Sequence, residues 1–138
     1  MKFVAFKRFR RLGIEGMENI PYGTELEERD NTLFHKGRMI CGATSKAAHD
    51  YFAINEDGQG LRRGALTEAI IKTLEPMKGE TREHRAERWL VVLNDPVCQK
   101  HDSKKLDDHF LWGHSFFIAP IEELEHIAAL VGAKVKGV

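Results

Sequence analysis

The sequence predicts an α+β domain: a small, curled antiparallel sheet in the N-terminal third, packed with three to four helices from the C-terminal two thirds. Three observations carry this. Short extended segments separated by turn residues fill the chain as far as Gly42, and apolar residues recur at helical spacing from Leu66 onward. A length of 138 residues suits one domain with a self-sufficient core. The expected organisation is a single domain over 1–138, strand-rich over about 1–43 and mainly helical over 44–138.

Lys2 to Arg11 reads as the first strand because Val4 and Phe6 interleave with Phe3 and Phe9, although Phe3, Phe6 and Phe9 would also line one side of a helix. Leu12 to Gly23 holds Gly13, Gly16, Asn19, Pro21 and Gly23, a density of breakers that predicts a loop. Extended segments follow at Thr24 to Arg29, Thr32 to His35 and Arg38 to Gly42. Between the last two, His35-Lys36-Gly37-Arg38 supplies the glycine that a tight hairpin needs at positive φ. At Thr44-Ser45 a hydroxyl can accept the free N–H groups of a first helical turn, which predicts a short helix over Lys46 to Phe52, a strand being the competing reading.

Asn55 to Gly60 is a turn, after which Leu66, Ala69, Ile70 and Leu74 mark a helix that Pro76 stops. A second helix begins near Thr81, carries Ala86, Trp89, Leu90 and Leu93 on one stripe, and ends before Asn94-Asp95-Pro96. The β-branched pair within Leu90 to Leu93 would also suit a buried strand. A third helix is predicted from Ser103 through Leu106, Phe110 and Leu111 to Gly113. The last has Pro120 in an early position, Glu122 and Glu123 against the positive end of the helix dipole, and Gly132 as a stop. Its apolar stripe is Ile121, Leu124, Ile127, Ala128 and Val131.

Composition narrows the class. The chain is 42% hydrophobic and 30% charged with a mean hydropathy of −0.40, values of a globular protein. No apolar run reaches membrane-spanning length, and charge returns at Lys7-Arg8 before a signal-peptide core forms, so the expected compartment is the cytoplasm. Cys41 and Cys98 read as buried thiols. Basic and acidic side chains balance at 21 each, which removes the large positive excess of a dedicated nucleic-acid binder and leaves room only for a local patch.

Three clusters qualify as candidate sites. In the first, Lys7, Arg8, Arg10 and Arg11 follow Phe3 and Phe6, with Arg62 and Arg63 as an extension. Cations interleaved with aromatics supply phosphate contact and base stacking on single-stranded nucleic acid. The plainer alternative gives the phenylalanines to the core and the arginines to edge protection and solubility. In the second, Cys98, His101, His109, His114 and His126 bring soft and borderline ligands close in sequence, and zinc takes four such ligands. Their spacing matches neither a paired-cysteine ribbon nor a finger, so rim histidines are the plainer reading. Glu122 and His126, four apart, suit a local surface pair. The third, Asn55 to Gly60, has the look of a calcium loop, but its first and twelfth ligand places hold Ala53 and Gly64. It reads as a turn. No nucleophile-elbow pattern occurs, and the adjacent pairs His49-Asp50 and Asp108-His109 point apart along any regular backbone.

Ile20-Pro21-Tyr22-Gly23-Thr24, the hairpin from Leu33 to Cys41, and Ala48-His49-Asp50-Tyr51-Phe52 running into Asp57-Gly58-Gln59-Gly60 resemble small uncharacterised proteins carried by phages and prophages of Gram-positive bacteria. The resemblance covers roughly the first half and carries no catalytic signature. It implies a cytoplasmic accessory protein and assigns no functional residue.

Together these readings point to a non-enzymatic accessory binding protein without a cofactor or membrane contact, whose partner is nucleic acid or another protein. Lys7, Arg8, Arg10, Arg11, Arg62 and Arg63 are the expected nucleic-acid contacts. One alternative is a zinc-dependent hydrolase or nuclease holding its metal with Cys98, His101, His109 and His114. Another is a structural module that acts as a homo-oligomer.

Overall fold

The structure, a computed structural model, describes residues 1–13, 16–101 and 112–135, without the side chains of residues 12, 13, 16 and 17. Its strands are β1 (Lys2–Ala5), β2 (Phe9–Gly13), β3 (Gly16–Ile20), β4 (Glu25–Arg29), β5 (Thr32–His35), β6 (Arg38–Gly42) and β7 (Phe52–Ile54). Its helices are α1 (Lys46–Tyr51), α2 (Gly60–Leu74), α3 (Arg82–Leu93), α4 (Pro96–Gln99), α5 (His114–Phe117) and α6 (Ile121–Val131). This is the expected α+β class. The chain divides into two compact units, Met1–Ala65 and a second that begins at Leu66, with α2 running through the boundary.

In the first unit, five antiparallel strands lie in the order β6-β5-β4-β1-β7, and β2 with β3 forms a separate two-stranded ribbon. Two-residue turns join β4 to β5 and β5 to β6, with Asp30-Asn31 at φ 50° and 62° and Lys36-Gly37 at φ 52° and 78°. Paired positive φ angles match the right-handed twist of the flanking strands. Lys2 to Arg11, predicted as one strand, is two. Phe6 N–H bonds to Tyr51 O just beyond β1, and Phe9 then opens β2 in the other sheet.

The predicted loop over Leu12 to Gly23 likewise contains β3. Its glycines Gly13 and Gly16 face each other at the last register pair of the ribbon, and Ile20, fully buried, faces Phe9 at the first. The loop reading therefore holds for Pro21 to Gly23, a turn with Gly23 at φ 85°, and fails for Gly16 to Ile20, which pair with β2. β7 was not foreseen: three residues start directly at the C-cap of α1 and add to β1, with Val4 opposite Ala53.

Phe3, Ala5, Phe9, Ile20, Leu26, Leu33, Ile40, Ala43, Ala48 and Phe52 form the core of this unit. Val4 faces the other way, toward the start of α2. A Cβ on Gly60 would stand 2.3 Å from Val4 Cγ1, and one on Gly64 would stand 2.1 Å from Phe6 Cγ. Residues four apart share a helix face and residues two apart share a strand face, so Gly60/Gly64 and Val4/Phe6 meet as matched rows. Ser45 caps α1 by accepting from Ala48 N–H, as its hydroxyl predicted.

The second unit packs Leu66, Ile70, Leu74, Trp89, Val92, Trp112, Phe116, Leu124 and Ile127 in one buried cluster. α3 begins just after Thr81 and Gly132, at φ 70°, ends α6, both as expected, and the Thr81 side chain caps α3. The apolar stripe of α3 is rotated from the predicted one: Trp89 and Val92 are buried while Leu90 is 53% exposed. The β-branched pair in Leu90 to Leu93 is helical. The helix expected from Ser103 to Gly113 lies almost wholly outside the described residues. Among the described residues, no helix is long and apolar enough to cross a membrane.

Candidate functional site

The basic candidates lie on and just before the ribbon. Phe9 and Ile20 anchor its base in the core, where the Phe9 ring lies 5.2 Å from Tyr51 and 5.3 Å from Phe52, centroid to centroid. Lys7 and Arg8, ahead of this anchor, and Arg10 and Arg11, beyond it on β2, are exposed. Arg10 lies opposite Asn19 and Arg11 opposite Glu18. Arg8 Nε donates to Asn19 Oδ1 at 3.2 Å, which holds its side chain along the ribbon.

Arg11 reaches further. The β5–β6 register skips Ile40, a bulge whose residue has no cross-strand partner, and the Arg11 guanidinium donates to the Ile40 carbonyl. Arg38 at the start of β6 lies 3.5 Å from Glu18 on β3. These two links tie the ribbon to the edge strand. Arg11 is thus partly engaged in structure, with Lys7, Arg8 and Arg10 projecting before and beside it.

Arg63 differs from this set in its burial. Arg62 is half-buried on α2, while Arg63 is 4% exposed. Arg63 Nη1 donates to Ile54 O at 2.8 Å, and the guanidinium forks onto Asp57 at 2.9 and 3.3 Å. Asp57 is held at about 2 by that fork, against the opposing effect of burial and with help from the Gln59 N–H. The turn predicted at Asn55 to Gly60 is built the same way, Asn55 Oδ1 accepting from Gly60 N–H at 2.8 Å. Its polar groups are spent on structure, Glu56 accepting from Lys2 N–H at 2.6 Å and Asp57 from Arg63.

In the second unit, Cys98, His114 and His126 belong to α4, α5 and α6, and His101 follows α4. Asp95 caps α4 and accepts from Cys98 N–H, and Cys98 is fully buried. His126 Nε2 lies 2.9 Å from Asp95 Oδ1, so the partner of His126 is Asp95 and not the Glu122 that the helical spacing suggested. Burial pushes the Asp95 carboxyl up, but bonds from His126 and Cys98 together hold it below the usual value. His114, half-buried at the start of α5, is pushed down by burial.

His101 is 7% exposed and bonded at both ring nitrogens. Nδ1 lies 2.9 Å from Ser115 Oγ, and Nε2 lies 3.1 Å from Glu123 Oε2. The backbone reinforces this: His101 N–H donates to Cys98 O, and His101 O accepts from Gly113 N–H at 2.9 Å. Glu123 is held below the usual carboxylate range, first by His101 and then by Lys100, whose ammonium is 3.4 Å away.

Neither Ser115 nor Glu123 stood out in the sequence as a partner of His101. Positions 101, 115 and 123 share no local period, and they meet only because three separate segments, after α4, in α5 and in α6, come together. His109 and Asp108 lie outside the described residues. Among the described residues, no three His, Cys, Asp or Glu side chains gather as a metal-holding group, and Cys98, His101 and His114 do not form one. No protein-family model, curated protein or solved structure matches the chain.

Proposed function

We propose that the chain is an accessory binding protein that contacts nucleic acid through the β2–β3 ribbon, with Lys7, Arg8, Arg10 and Arg11 as the contact residues. The observation that carries this reading is a run of exposed cations, Lys7 and Arg8 leading into β2 and Arg10 and Arg11 on it, at a two-stranded antiparallel ribbon whose base is anchored in the core. A two-stranded ribbon has the width that a duplex groove admits, and its arginines can reach phosphates on either side.

Since the chain carries no net charge, affinity has to come from this patch alone. Three or four phosphate contacts correspond to a slope of log K on log salt of about −3 on duplex DNA. The double variant Arg8→Glu/Arg10→Glu should weaken binding and flatten that slope by about 2, measured by fluorescence anisotropy from low to moderate salt. Unchanged retention on both DNA and RNA would remove the nucleic-acid reading and leave a protein partner for the same ribbon.

A further inference from the structure

The second unit contains a hydroxyl, an imidazole and a carboxylate in series, Ser115 Oγ to His101 Nδ1 at 2.9 Å and His101 Nε2 to Glu123 Oε2 at 3.1 Å. The direction of the proton chain follows from charge. An ionised carboxylate only accepts, so Nε2 of a neutral His101 carries the ring proton and Nδ1 presents a lone pair. The Ser115 hydroxyl therefore donates into Nδ1, the polarity a general base imposes on a nucleophile. The two ring nitrogens exchange the places they hold in the familiar serine hydrolase triad, and such constellations are recognised by geometry and role, not by position.

Burial is deepest at the central imidazole. Ser115 is exposed, His101 is 7% exposed, and the Glu123 side chain is 20% exposed. The nucleophile is reachable while the base is sheltered. Each member also sits beside a fully buried residue, Cys98 three before His101, Phe116 after Ser115 and Leu124 after Glu123, which limits its movement.

We propose that Ser115, His101 and Glu123 form an acyl-transfer site acting on small carboxylic esters. Ser115 Oγ attacks the ester carbonyl carbon, an O–C bond forms, and the hydroxyl proton passes to His101 Nδ1. Collapse breaks the bond to the alkoxide, which leaves with that proton. Water then repeats the sequence on the acyl-serine, giving the carboxylic acid and restoring Ser115. Ser115 and His101 are the catalytic residues and Glu123 the positioning residue, holding the tautomer.

A fluorophosphonate probe and p-nitrophenyl acetate test this on the full chain. The expected result is one adduct on Ser115 in folded protein, located by mass spectrometry and abolished by prior urea denaturation. Ester hydrolysis should fall about 100-fold or more in Ser115→Ala. Glu123→Gln should lower kcat with KM unchanged. Absence of a Ser115 adduct on folded protein overturns the proposal whatever the variants do, as does a Ser115→Ala protein hydrolysing the ester at the wild-type rate.

Discussion

Arg63 illustrates how a residue's environment decides its role. In sequence it stands beside Arg62 as one more surface cation, yet it is buried and supplies three hydrogen bonds to Ile54 and Asp57. Its removal leaves the Ile54 carbonyl unsatisfied, whereas Asp57, 48% exposed, returns to water. The loss is therefore that of a buried hydrogen bond to a charged group and not of a fully buried ion pair. Arg63→Met should destabilise by about 1–3 kcal/mol in urea denaturation, while leaving the salt slope of nucleic-acid binding in place. Glu80 gives the pH counterpart. Its side chain is 2% exposed, accepts from Arg88 at 2.6 and 2.8 Å, and is held at about 2 by Arg88 first and then by Met77 N–H and His84, against burial. Because the folded value lies below the ordinary 4.5, its contribution is complete above that pH and is lost as pH falls toward 2. Melting curves from pH 6 to 2 should show wild type and Glu80→Gln converging at the acid end. Basic residues on a ribbon were visible in the sequence because their positions are contiguous. The His101 cluster was not, because nothing local relates a histidine to a serine fourteen residues later and a glutamate twenty-two residues later.

Among the elements, those whose signal is local were read with their bounds. Thr32–His35 and Arg38–Gly42 matched residue for residue, helped by the Lys36-Gly37 turn, and α3 began just behind its Thr81 cap. Elements without a local strand signal were missed. β3 consists largely of residues that disfavour strands and exists because its neighbour β2 pairs with it; β7 has three residues and exists because the distant β1 does. The α3 stripe went astray for a related reason, since helical spacing sets a period but the phase depends on what the helix packs against. The start of α2 depends on tertiary context in the same manner. Helix propensity alone predicts that Gly64→Ala stabilises by about 1 kcal/mol. A Cβ there would lie 2.1 Å from Phe6 Cγ and 2.5 Å from Phe6 Cβ, close to the Phe6 backbone where little can yield. Overpacking of this kind costs about 1–3 kcal/mol and exceeds the propensity gain. Gly64→Ala should therefore lower the urea midpoint, and a raised midpoint would mean that Phe6 moves aside freely.

At the scale of the whole molecule, the chain holds two compact units, and its two tryptophans, Trp89 and Trp112, both lie in the second. Tryptophan emission is therefore a reporter of that unit's core alone. The rings stand 6.3 Å apart, Trp112 stacks 4.3 Å from Phe116, and Leu124 of α6 belongs to the same buried cluster. Leu124 is fully buried, so truncation removes its transfer free energy and leaves a cavity whose walls relax only in part. Leu124→Ala should lower the stability of this unit by about 2–5 kcal/mol, read from the tryptophan-detected urea transition. Val131→Ala, at the partly buried end of the same helix, should move that transition much less, because its methyl groups are already reached by solvent. The ratio of the two shifts measures where the core of this unit ends. Equal shifts would place Val131 as deep as Leu124 and extend the core to the C-terminal turn of α6.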